Sequence, residues 1–263
     1  EVTGDLPQRH KLAVALASLL PGDQPTLNRA RVLSDELAVL NTDWLPHLPL
    51  QPVYDAASQN VLHLFKVIYP DESSGGAVRG TAIVEAQAAL GLCPTVCMPL
   101  NAPRMGVDPL APDGIYAVER NGVSIFYPHY PELKRKEIAP TALLTIETVL
   151  TNKVLKKRRI GLIHASSGFM GFENALKGLS LARANNLPLV YEVRSFHEHT
   201  WRPLDARQMG NSVTQLREAQ ENRCMTEADV EADEMVECWD GDKDMMEHEA
   251  ANTMLAGVAT LAL

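Results

Sequence analysis

The sequence predicts an α/β protein with a doubly wound, mostly parallel sheet and a short helical extension at its amino end. Three observations carry that prediction. Short apolar runs at residues 63–69, 160–165 and 187–193 read as buried strands. Helical patterns of twelve or more residues separate them, at 79–90, 141–157 and 173–185. The alternation begins only after a proline-bearing stretch at 44–59, with Pro46, Pro49 and Pro52, which reads as a linker.

Taken in order, residues 1–43 read as a helical pair. Leu12, Leu16, Leu19 and Leu20 keep helical spacing, Pro21-Gly22-Asp23 is a turn, and Leu33, Leu37 and Leu40 form a second stripe. The α/β part spans 60–263. Its first strand leads through Ser73-Ser-Gly-Gly-Ala-Val-Arg79 into a helix. Residues 94–99 form a short apolar strand, and 114–127 alternate as a hairpin turning at Asn121-Gly122. Leu143, Ile146, Leu150 and Val154 share one helical face. A polar helical stretch fills 211–254 before a last strand-like run at 256–263.

Composition narrows the function classes. The net charge of -9 argues against a nucleic-acid surface, and 5% aromatics argue against a base-stacking platform. Four cysteines (Cys93, Cys97, Cys224, Cys238) fit no zinc or disulfide framework and read as reduced thiols, with Cys93 and Cys97 packed in the core. No apolar run reaches the ~18 residues of a membrane span. Glu1 at the start, with no initiator Met, and a strand-like end suggest a piece of a longer polypeptide. Lys156-Lys-Arg-Arg159 reads as a helix end complementing its dipole, or as a contact for anionic lipid headgroups. The acidic residues within 227–249 read as a solvated helix face.

In a doubly wound sheet ligands sit at the carboxyl ends of strands, so polar residues there are the candidates. Gly75 and Gly76 open a helix, where backbone N–H groups and the absence of side chains suit an anion, and Arg79 could add a charge-assisted bond. The plainer reading is a tight strand-to-helix turn. His164, in His164-Ala-Ser-Ser-Gly168, could hold a substrate hydroxyl or stabilise developing charge; equally it is a satisfied core histidine. The run Tyr191-Glu-Val-Arg-Ser-Phe-His-Glu-His-Thr-Trp201 is dense in ionisable side chains, as a binding loop or a polar surface loop. His197 and His199 stand at i, i+2, without a third metal ligand placed by spacing.

Together these segments resemble a known family. Lys66-Val-Ile-Tyr-Pro-Asp-Glu-Ser-Ser-Gly-Gly76, then Glu85-Ala-Gln-Ala-Ala-Leu-Gly-Leu92, is similar to the first strand, glycine loop and helix of retaining family 4 glycosyltransferases. Ile160-Gly-Leu-Ile-His-Ala-Ser-Ser167 resembles the strand that carries the family's histidine. The segment 175–201, through Val190-Tyr-Glu-Val-Arg194, is the strongest match, and Glu247-His-Glu-Ala-Ala-Asn-Thr-Met-Leu-Ala-Gly-Val-Ala-Thr-Leu261 resembles a later helix and strand.

The resemblance implies the amino-terminal Rossmann-like half of a GT-B enzyme of polysaccharide synthesis, in the cytoplasm or at the inner face of a membrane. It implies metal-free transfer, without a cofactor, from a nucleotide-sugar to a glycan or lipid-linked acceptor, with retention. Gly75, Gly76 and Arg79 would lie on the donor side, and His164 beside the transferred sugar. Glu192, Arg194, His197 and Ser166 would lie on the acceptor side. Ser166 stands where the family often has a second histidine. The second Rossmann half, which carries most donor contacts, does not follow Leu263, and residues 1–59 have no counterpart. A non-catalytic glycan- or partner-binding module is the alternative, and an unrelated nucleotide-dependent α/β enzyme is a third.

Overall fold

The computed structural model describes residues 6–50, 56–103, 112–168, 171–194 and 212–228. Six strands form one sheet: β1 (Ala57–Leu64), β2 (Cys93–Cys97), β3 (Gly114–Arg120), β4 (Val123–His129), β5 (Ile160–Ser166) and β6 (Leu189–Glu192). Their spatial order is β3-β4-β2-β1-β5-β6, and every neighbouring pair is parallel except β3 with β4. The chain therefore leaves β1 toward β2 on one side and later returns to β5 on the other. That reversal makes a switch point between the carboxyl ends of β1 and β5, where such sheets bind ligands.

Helices pack on both faces. Those of the α/β part are α3 (Gly75–Ala89), α4 (Pro140–Arg158) and α5 (Glu173–Asn185). Period-two alternation sorts β1 between the faces. Leu62 and Leu64 join the main core with Leu155 of α4 and Leu176 and Leu179 of α5. Val61, His63 and Phe65 point to the α3 side. Leu62, Leu64, Phe65 and Ile163 are at most 1% exposed; each such burial contributes roughly 1.5–3 kcal/mol. Every residue of α5 but Arg183 is buried. Gly178 lets this helix approach the sheet, since a Cβ there would lie 2.8 Å from Leu189.

The helical pair α1 (Leu6–Leu19) and α2 (Gln24–Leu40) is present, with Asp23 capping α2 by accepting the Thr26 N–H at 3.0 Å. It is not a loose appendage. Leu6, Leu33, Val39 and Leu40 belong to the main core, and Asp35 accepts the Thr141 backbone N–H at 2.9 Å. The last described helix, α6 (Ser212–Glu227), closes this side, where Gln220 Nε2 donates to the Val39 carbonyl at 2.8 Å.

Several boundaries differ from expectation. β1 opens at Ala57, inside the stretch read as linker, and ends at Leu64 rather than near Tyr69. Its polar start, Ala57-Ser-Gln-Asn60, is held by the junction of α4 and β5: Ala57 N–H donates to the Arg159 carbonyl at 2.8 Å. Gly161 permits that approach, because a Cβ would sit 2.5 Å from the Ala57 oxygen. Trp44, Leu45 and Leu48, also in the stretch read as linker, pack on the main core. The stripe Leu12, Leu16, Leu19, Leu20 lies on the exposed side of α1, with Leu19 77% exposed.

On α4 the buried face is rotated from the expected stripe and includes Glu147, Thr148 and Thr151. The two threonine hydroxyls donate to the carbonyls one turn back, both at 2.7 Å, which is how a polar face becomes core. Cys97 is buried but Cys93 is exposed, contrary to the core reading of both, because Cys93 is the first residue of its strand. Burial pushes the Cys97 thiol up to about 11. The Asn121-Gly122 turn has φ of 48° and 80°, the left-handed pair that a two-residue hairpin needs. Among the described residues no helix is long and apolar enough to cross a membrane. The basic cluster forms the last turn of α4 and its left-handed cap, Arg159. The expected last strand, Cys238 and most of the acidic run lie outside the described residues.

Candidate functional site

Strand register places a row of side chains across the sheet beneath α3. Val61 of β1 stands beside Leu162 of β5, and Val190 of β6 completes an apolar row. Two residues on, toward the carboxyl edge, His63 stands beside His164. Glu192 is two residues beyond Val190, the register partner of His164. The alternation that buries the valines therefore brings two imidazoles and a carboxylate to the same face.

These groups form one hydrogen-bonded line. Gln87 of α3 presents its amide oxygen to His63 Nε2 at 2.7 Å, and His63 Nδ1 meets His164 Nδ1 at 2.8 Å. His164 Nε2 lies 3.5 Å from Glu192 Oε2, an ion-pair separation rather than a hydrogen bond. Arg194 Nε donates to the same carboxylate oxygen at 2.8 Å. Gln87, His63, His164 and Glu192 are at most 4% exposed.

Arg194 is the clamp. Its Nη1 donates to the Gly76 carbonyl at 2.8 Å, its backbone N–H donates to Ser167 Oγ at 2.9 Å, and its guanidinium lies 4.8 Å from the Phe65 ring centroid. Gly80 makes room, because a Cβ there would stand 3.1 Å from Phe65 and 3.3 Å from Arg194. Two buried polar atoms of the cluster, His164 Nε2 and Arg194 Nη2, have no hydrogen-bond partner among the described residues.

The electrostatics follow from burial and neighbours. Burial, then the adjacent His164, holds His63 well below the ordinary histidine range, so it is neutral at physiological pH. Burial alone would raise the Glu192 carboxyl. The Arg194 charge, followed by His164, outweighs it and brings the group down to about 2, so Glu192 is a buried anion. The arrangement can hold a proton at His164, counter it with Glu192, and present a cation from Arg194.

The structure sorts the expected residues. His164, Glu192 and Arg194 meet. Ser166 is buried beside them, but its hydroxyl is spent on the Leu64 carbonyl at 3.3 Å. Gly75 and Gly76 are the exposed first residues of α3, capped by Ser74, and a Cβ on either would meet nothing within 4 Å. Neither has the left-handed backbone of a turn glycine, so the fold itself does not require glycine there. Arg79 is exposed on α3 and joins none of these hydrogen bonds. His197 and His199 lie outside the described residues. His63, Gln87, Phe65, Gly80 and Ser167 were not foreseen. The one available signal was a histidine inside the apolar run Val61-Leu-His-Leu-Phe65.

A second polar cluster lies on the opposite face. Lys177 Nζ donates to Glu147 at 2.9 Å, Leu100 N–H donates to the same carboxylate at 3.0 Å, and Arg135 is 3.5 Å away. Burial acts against this carboxylate, and Lys177 and then Arg135 still hold it below the usual range. A cavity of about 740 Å³ opens beside it between α2, α4 and the start of α5. Among the described residues no group of three His, Cys, Asp or Glu side chains is placed to hold a metal. No protein-family model matches the chain, and no curated protein matches it.

Proposed function

We propose that this chain is the acceptor-side Rossmann-like domain of a retaining, GT-B-type glycosyltransferase. The observation that carries the reading is the location of His164. It lies at the switch point between β1 and β5, with Nε2 unpartnered among the described residues and Arg194 and Glu192 beside it. The start of α3, open at Gly75 and Gly76 and bonded to Arg194, forms the adjoining rim. In the reaction the sugar C1–O bond to the diphosphate breaks as a C1–O bond to the acceptor hydroxyl forms, and the acceptor proton leaves with the diphosphate side. The domain supplies position and charge: His164 contacts the sugar through Nε2, and Arg194 and the helix start offset developing negative charge. The donor is a nucleotide-sugar and the acceptor a glycan or a lipid-linked sugar.

One observation favours a second reading. His164 is only 1% exposed, as in a satisfied core network beneath a glycan- or partner-binding rim without turnover. One substitution separates the two. His164→Asn keeps an N–H near the position that His63 needs and deletes Nε2. The polypeptide carrying this domain is assayed for release or transfer of sugar from UDP- and GDP-sugars. Under the enzyme reading, His164→Asn lowers turnover by about 10²–10⁴-fold with the thermal midpoint little changed. Wild-type inactivity on every donor, or full activity of the variant, overturns that reading.

A further inference from the structure

We infer that His63 is a positioning residue that fixes a proton on Nδ1 of His164, so that Nε2 is the atom His164 offers at the switch point. The inference deepens the proposed function and rests on it only for what Nε2 then does. The tautomer itself is a property of this chain.

The argument follows hydrogen-bond directions along the row. Gln87 Oε1 can only accept, so His63 Nε2, 2.7 Å away, carries the proton of that bond. A neutral imidazole has one N–H, which leaves His63 Nδ1 as a lone pair. Two facing nitrogens at 2.8 Å need one donor between them, so the proton in that bond belongs to His164 Nδ1. His164 Nε2 is then the nitrogen that the neutral ring leaves without a proton. Burial supports the neutral state of His63, because a second proton, on Nδ1, would face the His164 Nδ1–H instead of an acceptor.

The charged and titratable groups around His164 are His63 on β1, Glu192 on β6 and Arg194 just beyond it; Phe65 contributes a ring edge-on at 6.0 Å. When Nε2 takes a proton, Glu192 at 3.5 Å counters the imidazolium. When it does not, Arg194 remains as partner to Glu192 at 2.8 Å. A purely structural histidine row would satisfy both ring nitrogens, as most buried polar atoms are satisfied. Here Nδ1 is satisfied by His63 while Nε2, like Arg194 Nη2, has no hydrogen-bond partner among the described residues.

The test is long-range ¹H–¹⁵N correlation of the imidazole rings in the full 263-residue chain, recorded from about pH 5.5 to 8.5 and assigned with His63→Asn and His164→Asn. Expected in wild type are a neutral His63 with Nε2–H throughout, and a His164 whose Nδ1 stays protonated throughout. His63→Leu should shift the His164 proton to Nε2. His63→Asn, whose side-chain oxygen accepts near the Nδ1 position, should restore Nδ1–H. A wild-type His164 with bare Nδ1, or Nδ1–H unchanged in His63→Leu, overturns the inference. The wild-type spectrum decides the matter alone if the leucine variant does not fold. Lack of sugar transfer with the expected tautomers refutes only the transferase reading.

Discussion

Replacing Glu192 by Gln removes one charge from the row under α3 while keeping the side chain's size. The carboxylate accepts from Arg194 at 2.8 Å and faces His164 at 3.5 Å. Against burial, these neighbours hold it at about 2, compared with 4.5 for an ordinary glutamate. At about 1.4 kcal/mol per pH unit, that separation corresponds to about 3 kcal/mol at neutral pH. The folded value is the lower one. The stabilisation is therefore complete above about pH 4.5 and is lost as pH falls from there through about 2. Against a total stability of roughly 5–15 kcal/mol, such a loss is readily measured. Urea unfolding of both proteins at about pH 7 and about pH 3 provides the assay. Glu192→Gln should be less stable by about 3 kcal/mol at the higher pH, with the difference falling to roughly half at the lower. Equal stabilities at neutral pH, or a difference that ignores pH, would refute the claim that Glu192 is an ion-paired buried anion.

Two further outcomes are expected. Lys177→Met leaves the Glu147 carboxylate, 4% exposed, with Arg135 at 3.5 Å as its one counter-ion among the described residues, and should cost about 3–5 kcal/mol in denaturant unfolding; Glu147→Leu combined with Lys177→Met should recover most of it. Gly75→Ala and Gly76→Ala meet open space, so thermal unfolding should show unchanged or slightly higher stability, by up to about 1 kcal/mol. Under the proposed function both should lower sugar transfer, and full transfer by both would remove the glycine pair from the site.

The alternation of strands and helices was legible because each element announces itself locally. α5, the β3–β4 turn and β5 stand within a residue or two of where period and turn chemistry place them. What was hidden depends on pairing across the chain. His63 gains its meaning from His164, 101 residues later, and no local pattern carries that register. The buried face of α4 was misjudged because Glu147 looks solvated until Lys177 of another helix is placed against it. Similarly, the exposed stripe on α1 shows that spacing identifies an apolar face without saying what covers it. Of the candidate site, His164, Glu192 and Arg194 were visible as polar residues at strand ends; Gln87, which sets the hydrogen-bond direction of the row, looks like any helix glutamine.

The sheet order also bears on synthesis. β1 lies at the centre of the sheet, yet its partner β5 begins about 100 residues downstream, as Ala57 pairs with Ile160. At roughly 5–20 residues per second, β1 waits on the order of 5–20 s on the ribosome for that neighbour. During this interval Leu62 and Leu64 are synthesised without the sheet edge that will bury them. The members of their core cluster already made are Leu6, Leu33, Val39 and Leu40 of the helical pair. The extension makes its main contacts outside itself with α4 and α6, both made after β1, so it too is short of partners until the sheet is nearly whole.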